Sequence, residues 1–162
     1  MEIRLARADE LAEVGRQTAE VYVGDGFMPA TDAYVPRLAD AVRRSQEAEL
    51  WVAVDPTSGE VLGSVTFCLA GSSYREIGRA DEGEFRMLAV SPAIRGRGVG
   101  QALVQHCVTR SRDLGYAGVR MSTMDAMTTA HRVYERLGFT RSPDDDWSPV
   151  PGVLLLAYAL RF

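Results

Sequence analysis

Cysteine and histidine are scarce in this chain, a surplus of positive charge is absent, and no long apolar run occurs; each shortage closes a class of function. The two cysteines, Cys68 and Cys107, both fall in apolar runs and fit neither a metal-ligand spacing nor a disulfide framework. They read as buried thiols in a reducing cytoplasm. With only two histidines, far apart, and no cysteine pair, no metal is expected. A net charge of −4 lacks the basic face that non-specific nucleic-acid binding needs, so no nucleic-acid partner is expected. The longest apolar run, Val153 to Leu160, is far short of the roughly 20 residues of a membrane helix, so no membrane partner is expected either. The start, Met1-Glu2-Ile3-Arg4, lacks the charged-then-apolar layout of a secretion signal. A cytoplasmic chain is the expectation. With 162 residues, 46% apolar and 25% charged, and neither repeat nor linker, residues 1–162 read as a single domain able to bury a core.

What is present is a regular alternation of strand and helix patterns. Residues 2–7 alternate weakly as a strand. Asp9 then reads as an N-cap for a helix with Leu11, Val14, Thr18, Val21 and Tyr22 on one stripe, stopped by Gly24-Asp25-Gly26. A second helix is expected from Thr31 or Asp32, burying Tyr34, Leu38, Ala41 and Val42. Leu50 to Val54 and Val61 to Leu69 form a hairpin around Pro56-Thr57-Ser58-Gly59. A long polar loop, Ala70 to Gly83, precedes a strand from Glu84 to Val90, ended by Ser91-Pro92. A helix follows from about Gly98 to Leu114, with His106 on its apolar stripe, then a strand from Val119 to Met124 and a helix from Met127 to Leu137. A short strand near Phe139 and a polar loop with three aspartates lead to a last strand, Val153 to Leu160. Hairpins and crossovers sharing one sheet make the class α/β with a mixed sheet.

The stretch Arg95-Gly96-Arg97-Gly98-Val99-Gly100 stands between strand and helix. Three glycines at alternate positions strip every Cβ from a turn that opens a helix, so backbone amides can approach a ligand closely. The free N–H groups and partial positive charge of the helix start then point at that ligand, for which a phosphate or pyrophosphate is the natural occupant. Arg95 and Arg97 add forked donors. Between Arg86 and Arg97 there are three arginines and no carboxylate, so the anion-attracting field is local. Val99 after Gly98 rules out a P-loop, which needs lysine and then serine or threonine. G-x-G-x-G in mid-chain, with no acid over 116–124, does not match a dinucleotide fingerprint.

The pattern resembles the GNAT superfamily of N-acetyltransferases over most of the chain. Arg95, Gly98 and Gly100 match its acetyl-CoA signature, after a matching strand Glu84-Phe-Arg-Met-Leu-Ala-Val90. Ala130, Tyr134, Glu135, Gly138 and Phe139 match its later helix motif, although many members carry Asn where this chain has Met127. The resemblance implies one mixed, mostly antiparallel sheet with splayed central parallel strands, flanked by about four helices. It also implies acetyl-CoA as cosubstrate, its pyrophosphate on the amides of Arg95, Gly96, Arg97, Gly98, Val99 and Gly100. Pantetheine would lie along Leu88, Ala89 and Val90, with further contacts from Met127 and Tyr134.

Moving an acetyl group from a thioester to an amine needs a base for the ammonium, a donor for the developing oxyanion and a proton for the departing thiolate. By the resemblance, Tyr134 faces the sulfur and supplies that proton or a hydrogen bond in its place. Glu84, through water, is the expected base, with Glu82 as a weaker rival, and the amide near Leu88 the oxyanion donor. Period 2 puts Glu84, Arg86, Leu88 and Val90 on one strand face, with Phe85, Met87 and Ala89 on the other. His106 reads as packed and His131 as solvated. The acceptor, a primary amine of a small molecule, is walled by Phe27 and Met28 on one side and by Trp147, behind Asp144-Asp145-Asp146, on the other. The acids favour a polyamine-like or aminoglycoside-like amine. Acetylation of a peptide or protein amine, and an acyl-CoA-binding module without catalysis, are the alternatives. A homodimer is compatible with all of them.

Overall fold

The computed structural model describes all of residues 1–162. In chain order its elements are β1 (Glu2–Leu5), α1 (Leu11–Gly24), α2 (Val35–Ala39), α3 (Ala41–Glu47), β2 (Glu49–Val54), β3 (Val61–Cys68), β4 (Glu82–Val90), α4 (Val99–Asp113), β5 (Gly118–Met124), α5 (Thr128–Arg136), β6 (Thr140–Arg141) and β7 (Leu155–Arg161). All seven strands join one sheet in the order β1-β2-β3-β4-β5-β7-β6. Every pairing is antiparallel except β4 with β5, which is parallel and runs only from Glu82↔Gly118 to Glu84↔Arg120. Beyond that seam β4 continues to Val90 and β5 to Met124 without pairing to each other. The expected mixed sheet with parted central strands is therefore present, flanked by five α-helices where about four were expected. No helix is long and apolar enough to cross a membrane.

The two faces of the sheet bury different clusters. On one face Leu103 and Cys107 of α4 pack with Phe67, Phe85, Val119 and Met121, and Tyr134 and Phe139 close the cluster. The α4 stripe Val99, Leu103, Val104, Cys107, Val108 and Ser111 is buried at helical spacing, which is why this segment folds as a helix on the sheet. On the other face, Val14 and Ala41 cover Leu50, Val52 and Val61, while Leu38 and Tyr74 cover Cys68 and Met87. The β2–β3 hairpin turns as its residues dictate. Asp55 Oδ1 accepts the N–H groups of Thr57 and Ser58 at 2.8 and 3.2 Å.

Three local expectations are corrected. The stripe Tyr34, Leu38, Ala41, Val42 does not lie on one helix. Asp40 breaks it at φ −80°, ψ 71°, and caps α3 by accepting the Arg43 N–H at 3.0 Å. The break rotates Val42 out to 51% exposure. Asp9 is not the N-cap of α1; it sits in a 3-10 turn, Ala8–Glu10. There Glu10 accepts the Arg7 N–H at 2.8 Å and a forked pair from Arg4. In β4, strict alternation fails at Met87, whose φ of 54° marks a bulge where the β3–β4 register shifts. Arg86 and Met87 consequently share the α1 side of the sheet, and Leu88 and Val90 turn to the α4 side, opposite Glu84.

Candidate active site

The turn before α4 folds as its glycines require. Gly96 and Gly98 hold φ of 81° and 78°, and a Cβ on either would meet nothing within 4 Å. The left-handed backbone, rather than crowding, is what selects glycine there. Gly98 is the N-cap of α4, and the first helical bond runs from Ala102 N–H to Gly98 C=O at 2.9 Å. The N–H groups of Val99, Gly100 and Gln101 precede that bond and have no helical acceptor. They open onto a cleft of about 720 Å³.

That cleft gathers much of the expected cofactor set. Leu88, Val90, Arg95, Gly96, Gly98, Val99, Gly100 and Met127 line it, as does Phe27 from the segment after α1. Its mouth includes Asp25, and Arg95 makes a forked pair with that carboxylate at 2.9 and 2.8 Å. Arg97 lies outside the lining, and Ala89 is buried opposite Ser64 on the α1 side. Ala130 and Val133 of α5 form the far wall beside Met127.

Tyr134 is buried behind that wall, its ring centroid 5.9 Å from Phe85, 6.1 Å from Phe139 and 6.0 Å from Tyr158. Burial pushes its phenol well above the usual range, so it keeps its proton. Glu84 is also buried, but its carboxylate lies on the α1 side. There Oε2 accepts three consecutive N–H groups, from Glu76, Ile77 and Gly78, at 2.9, 2.9 and 2.8 Å. This anchors the loop between β3 and β4, a role that sequence spacing does not signal. Glu82, the weaker rival, is fully buried and engaged by Arg120 at 2.7 Å and Arg161 at 3.0 Å.

Asp25 lines the cleft and is not among the expected site residues, while Arg86 and Tyr34, outside that lining, form a polar cluster on the α1 side. Arg86 donates to Tyr74 C=O at 2.7 Å, to Glu76 at 3.2 Å and to the Tyr34 hydroxyl at 3.1 Å. Only the arginine excess over 86–97 hinted at it. Phe27 packs edge-on against Tyr22, with centroids 6.3 Å apart, and Met28 packs against the Leu38–Tyr74 cluster. Trp147 hangs on β5, donating Nε1–H to Ser122 Oγ at 3.2 Å.

The aspartate run beside it is not a free anionic surface. Asp145 is bound by Arg120, Ser142 and Arg79, and Asp146 by Arg141 in a forked pair at 2.8 Å and by the Ala157 N–H at 2.7 Å. Of the three acids, only Asp144 is exposed and unpaired. His106 packs against Trp51 with the rings tilted at 57° and centroids 4.1 Å apart, as a packing residue. His131 is half-buried, with Nε2 3.0 Å from Met124 C=O, rather than solvated. Both cysteines are buried and unpaired, and burial pushes the Cys68 thiol up to about 12.

Comparison with known proteins gives the same pattern. The model of the acetyltransferase (GNAT) family matches residues 16–139. A mycothiol acetyltransferase of Cellulomonas flavigena is 33% identical over 118 residues, which is 67% of this chain and 33% of that protein. An amino-acid acetyltransferase of Mycobacterium tuberculosis is 28% identical over 138 residues, covering 85% of this chain and 67% of that protein. The chain thus spans only about a third of the mycothiol enzyme's length. Among solved structures, a GCN5-related N-acetyltransferase from Kribbella flavida superposes with a TM-score of 0.71 at 26% identity, covering 99% of this chain and 97% of that one.

Proposed function

The chain belongs to the acetyltransferase (GNAT) family, and from that premise we propose that it transfers an acetyl group from acetyl-CoA directly to a primary amine of a small molecule. One observation carries the reading. The left-handed Gly98 opens α4 onto a cleft that continues to Leu88 and Val90, where β4 has lost its parallel partner. The diphosphate of coenzyme A sits on the N–H groups at the start of α4, aided by the helix dipole. Pantetheine adds to the unpaired stretch of β4 by backbone bonds, as an extended ligand adds to a sheet edge.

The amine nitrogen attacks the thioester carbon, the oxyanion takes a hydrogen bond from the Leu88 N–H, and the C–S bond then breaks. Tyr134, held protonated by its surroundings, donates a hydrogen bond to the departing thiolate, which takes up the proton released by the newly acylated nitrogen. Glu84 draws the proton from the ammonium through water on the α1 side, using the oxygen that the loop amides leave free. Phe27 at the cleft mouth, Met28, and Trp147 on β5 wall the acceptor. No acyl-cysteine is needed, since both thiols are buried and their proton is held tightly. Two free thiols fit a reducing cytoplasm.

Calorimetry with coenzyme A, paired with thiol release from acetyl-CoA over a panel of amino acids, aminoglycosides, polyamines and peptides, tests the reading. Wild type should bind and release thiol with a small amine. Gly98→Glu, which puts a carboxylate where the diphosphate rests, should lose binding at least a hundredfold. Unchanged binding by that variant removes the phosphate assignment. Release with peptides alone moves the acceptor to proteins, and binding without release to any acceptor leaves an acyl-CoA-binding module.

A further inference from the structure

We propose, resting on the transferase reading, that the acceptor carries a carboxylate beside its amine, as an α-amino acid does, and that the hydroxyls of Tyr22 and Tyr34, backed by Arg86, receive that carboxylate.

Tyr22 stands where the coenzyme cleft meets the α1 side of the sheet. It lines the cleft, and with Met28 and Tyr34 it packs against the Leu38–Tyr74 cluster. Its hydroxyl has no partner in the protein and, unlike Nε of Arg44, is not sealed off from the surface. Loss of hydration keeps the phenol protonated, so it is a donor in want of an acceptor.

Tyr34 is a second open donor. Arg86 Nη2 donates to its hydroxyl oxygen at 3.1 Å, so the phenol's own proton turns elsewhere, and no protein group accepts it. Arg86 directs Nη1 to Tyr74 C=O at 2.7 Å and to Glu76 at 3.2 Å. Its Nε–H and one Nη2–H are left without partners. A carboxylate, which only accepts, suits all of these groups.

The local charge has the matching sign. Arg86 and Arg44 are the charged side chains that act on the Tyr22 hydroxyl, with no carboxylate among them. Arg44 is fully buried and bonds to Thr66 at 3.3 Å, Thr18 at 3.2 Å and the Leu38 C=O at 2.9 Å, but to no acid. A buried cation without a counter-ion is costly, and an anion placed nearby offsets that cost. Glu76 is shared by Arg86 and Arg37, and loop amides hold Glu84 Oε2.

Spacing narrows the ligand further. Glu84 and Arg86 lie two residues apart on one face of β4, before the bulge at Met87, so their Cα atoms are about 7 Å apart. An α-amino acid bears its amine and its carboxylate on one carbon. Its ammonium can then meet the water on Glu84 while its carboxylate meets the phenols and Arg86. A polyamine has nothing for those donors to bind.

Thiol release from acetyl-CoA, measured with L-amino acids and with the carboxamide of each, tests the assignment. The preferred amino acid should exceed its carboxamide in kcat/KM by roughly tenfold or more, because the amide puts N–H groups where the site also donates. Tyr22→Phe removes no internal bond, and Tyr34→Phe removes the one from Arg86. Each should shrink that preference by roughly fivefold or more, mainly through KM, with coenzyme A affinity by calorimetry unchanged. Tyr116→Phe, which removes a hydroxyl that accepts the Ala70 N–H elsewhere, should keep the preference. Equal rates with amino acids and their carboxamides, a preference intact in both site variants, or an equal loss in Tyr116→Phe would each overturn the proposal. Release with alkylamines or peptides as fast as with amino acids overturns it and leaves the transferase reading standing, whereas no release with any acceptor removes both.

Discussion

A phenol surrounded by Phe85, Phe139 and Tyr158 keeps its proton because a phenolate there would have to exist without water. No protein group accepts from or donates to the Tyr134 hydroxyl, so deleting it breaks no internal bond. Tyr134→Phe should therefore leave the denaturation midpoint nearly unchanged and coenzyme A affinity intact, while kcat falls tenfold or more. Steady-state kinetics beside a thermal melt check this, and an unchanged kcat returns the residue to the core. The position of Tyr134 was legible because it sits one residue beyond Val133 on a helix whose motif is specific. The occupation of Glu84 was not. Its three donors come from consecutive amides of a loop, and backbone groups leave no trace in residue type.

At the scale of elements, the hairpin, the span of α4 and the helix ending at Gly138 could be read from spacing and turn residues, but the buried face of α4 runs through Val104, Val108 and Ser111 rather than Ala102, His106 and Arg110. What escaped were interruptions made by residues that look ordinary. Met87 adopts a left-handed φ without the glycine or asparagine that would announce it, and the face order of β4 changes with it. Asp40 divides a stripe that periodicity alone joins, because its side chain caps the second piece. Gly15 is a quieter case. Inside an exposed helix, glycine to alanine normally stabilises by about 1 kcal/mol. Here a Cβ would stand 2.0 Å from the Ala39 carbonyl oxygen, where α2 crosses α1. Gly15→Ala should instead destabilise by about 1–3 kcal/mol through forced separation of the helices, seen as a lower urea midpoint. A stabilised variant would show that α1 and α2 do not pack this closely.

Over the whole molecule, the acceptor side was the least legible region, since two of its three acids are engaged by partners, some near and some distant in the chain, that residue type does not reveal. Asp145 answers to Ser142 and Arg120, and Asp146 to Arg141. The same pairs govern acid stability. A hydrogen bond from Arg4 lowers the Glu10 carboxyl to about 2, and Asp145 and Asp146 are also lowered. Carboxyls depressed in the folded state stabilise it above their ordinary values, 4.5 for Glu10 and 3.8 for the two aspartates, and lose that contribution as pH falls toward 2. The urea midpoint should decline steadily across that window, and Glu10→Gln should flatten the decline while lowering the neutral-pH midpoint. An equally steep decline in that variant would remove Glu10 from the account.

The seam from Glu82 to Glu84 has a mechanical corollary. The sheet amounts to two plates, β1 to β4 and β5 to β7, riveted at one end by a few backbone bonds and the Arg120–Glu82–Arg161 contacts. A guest lodged in the gap becomes the missing weld, and force between the plates then runs through the guest as well as through the rivet.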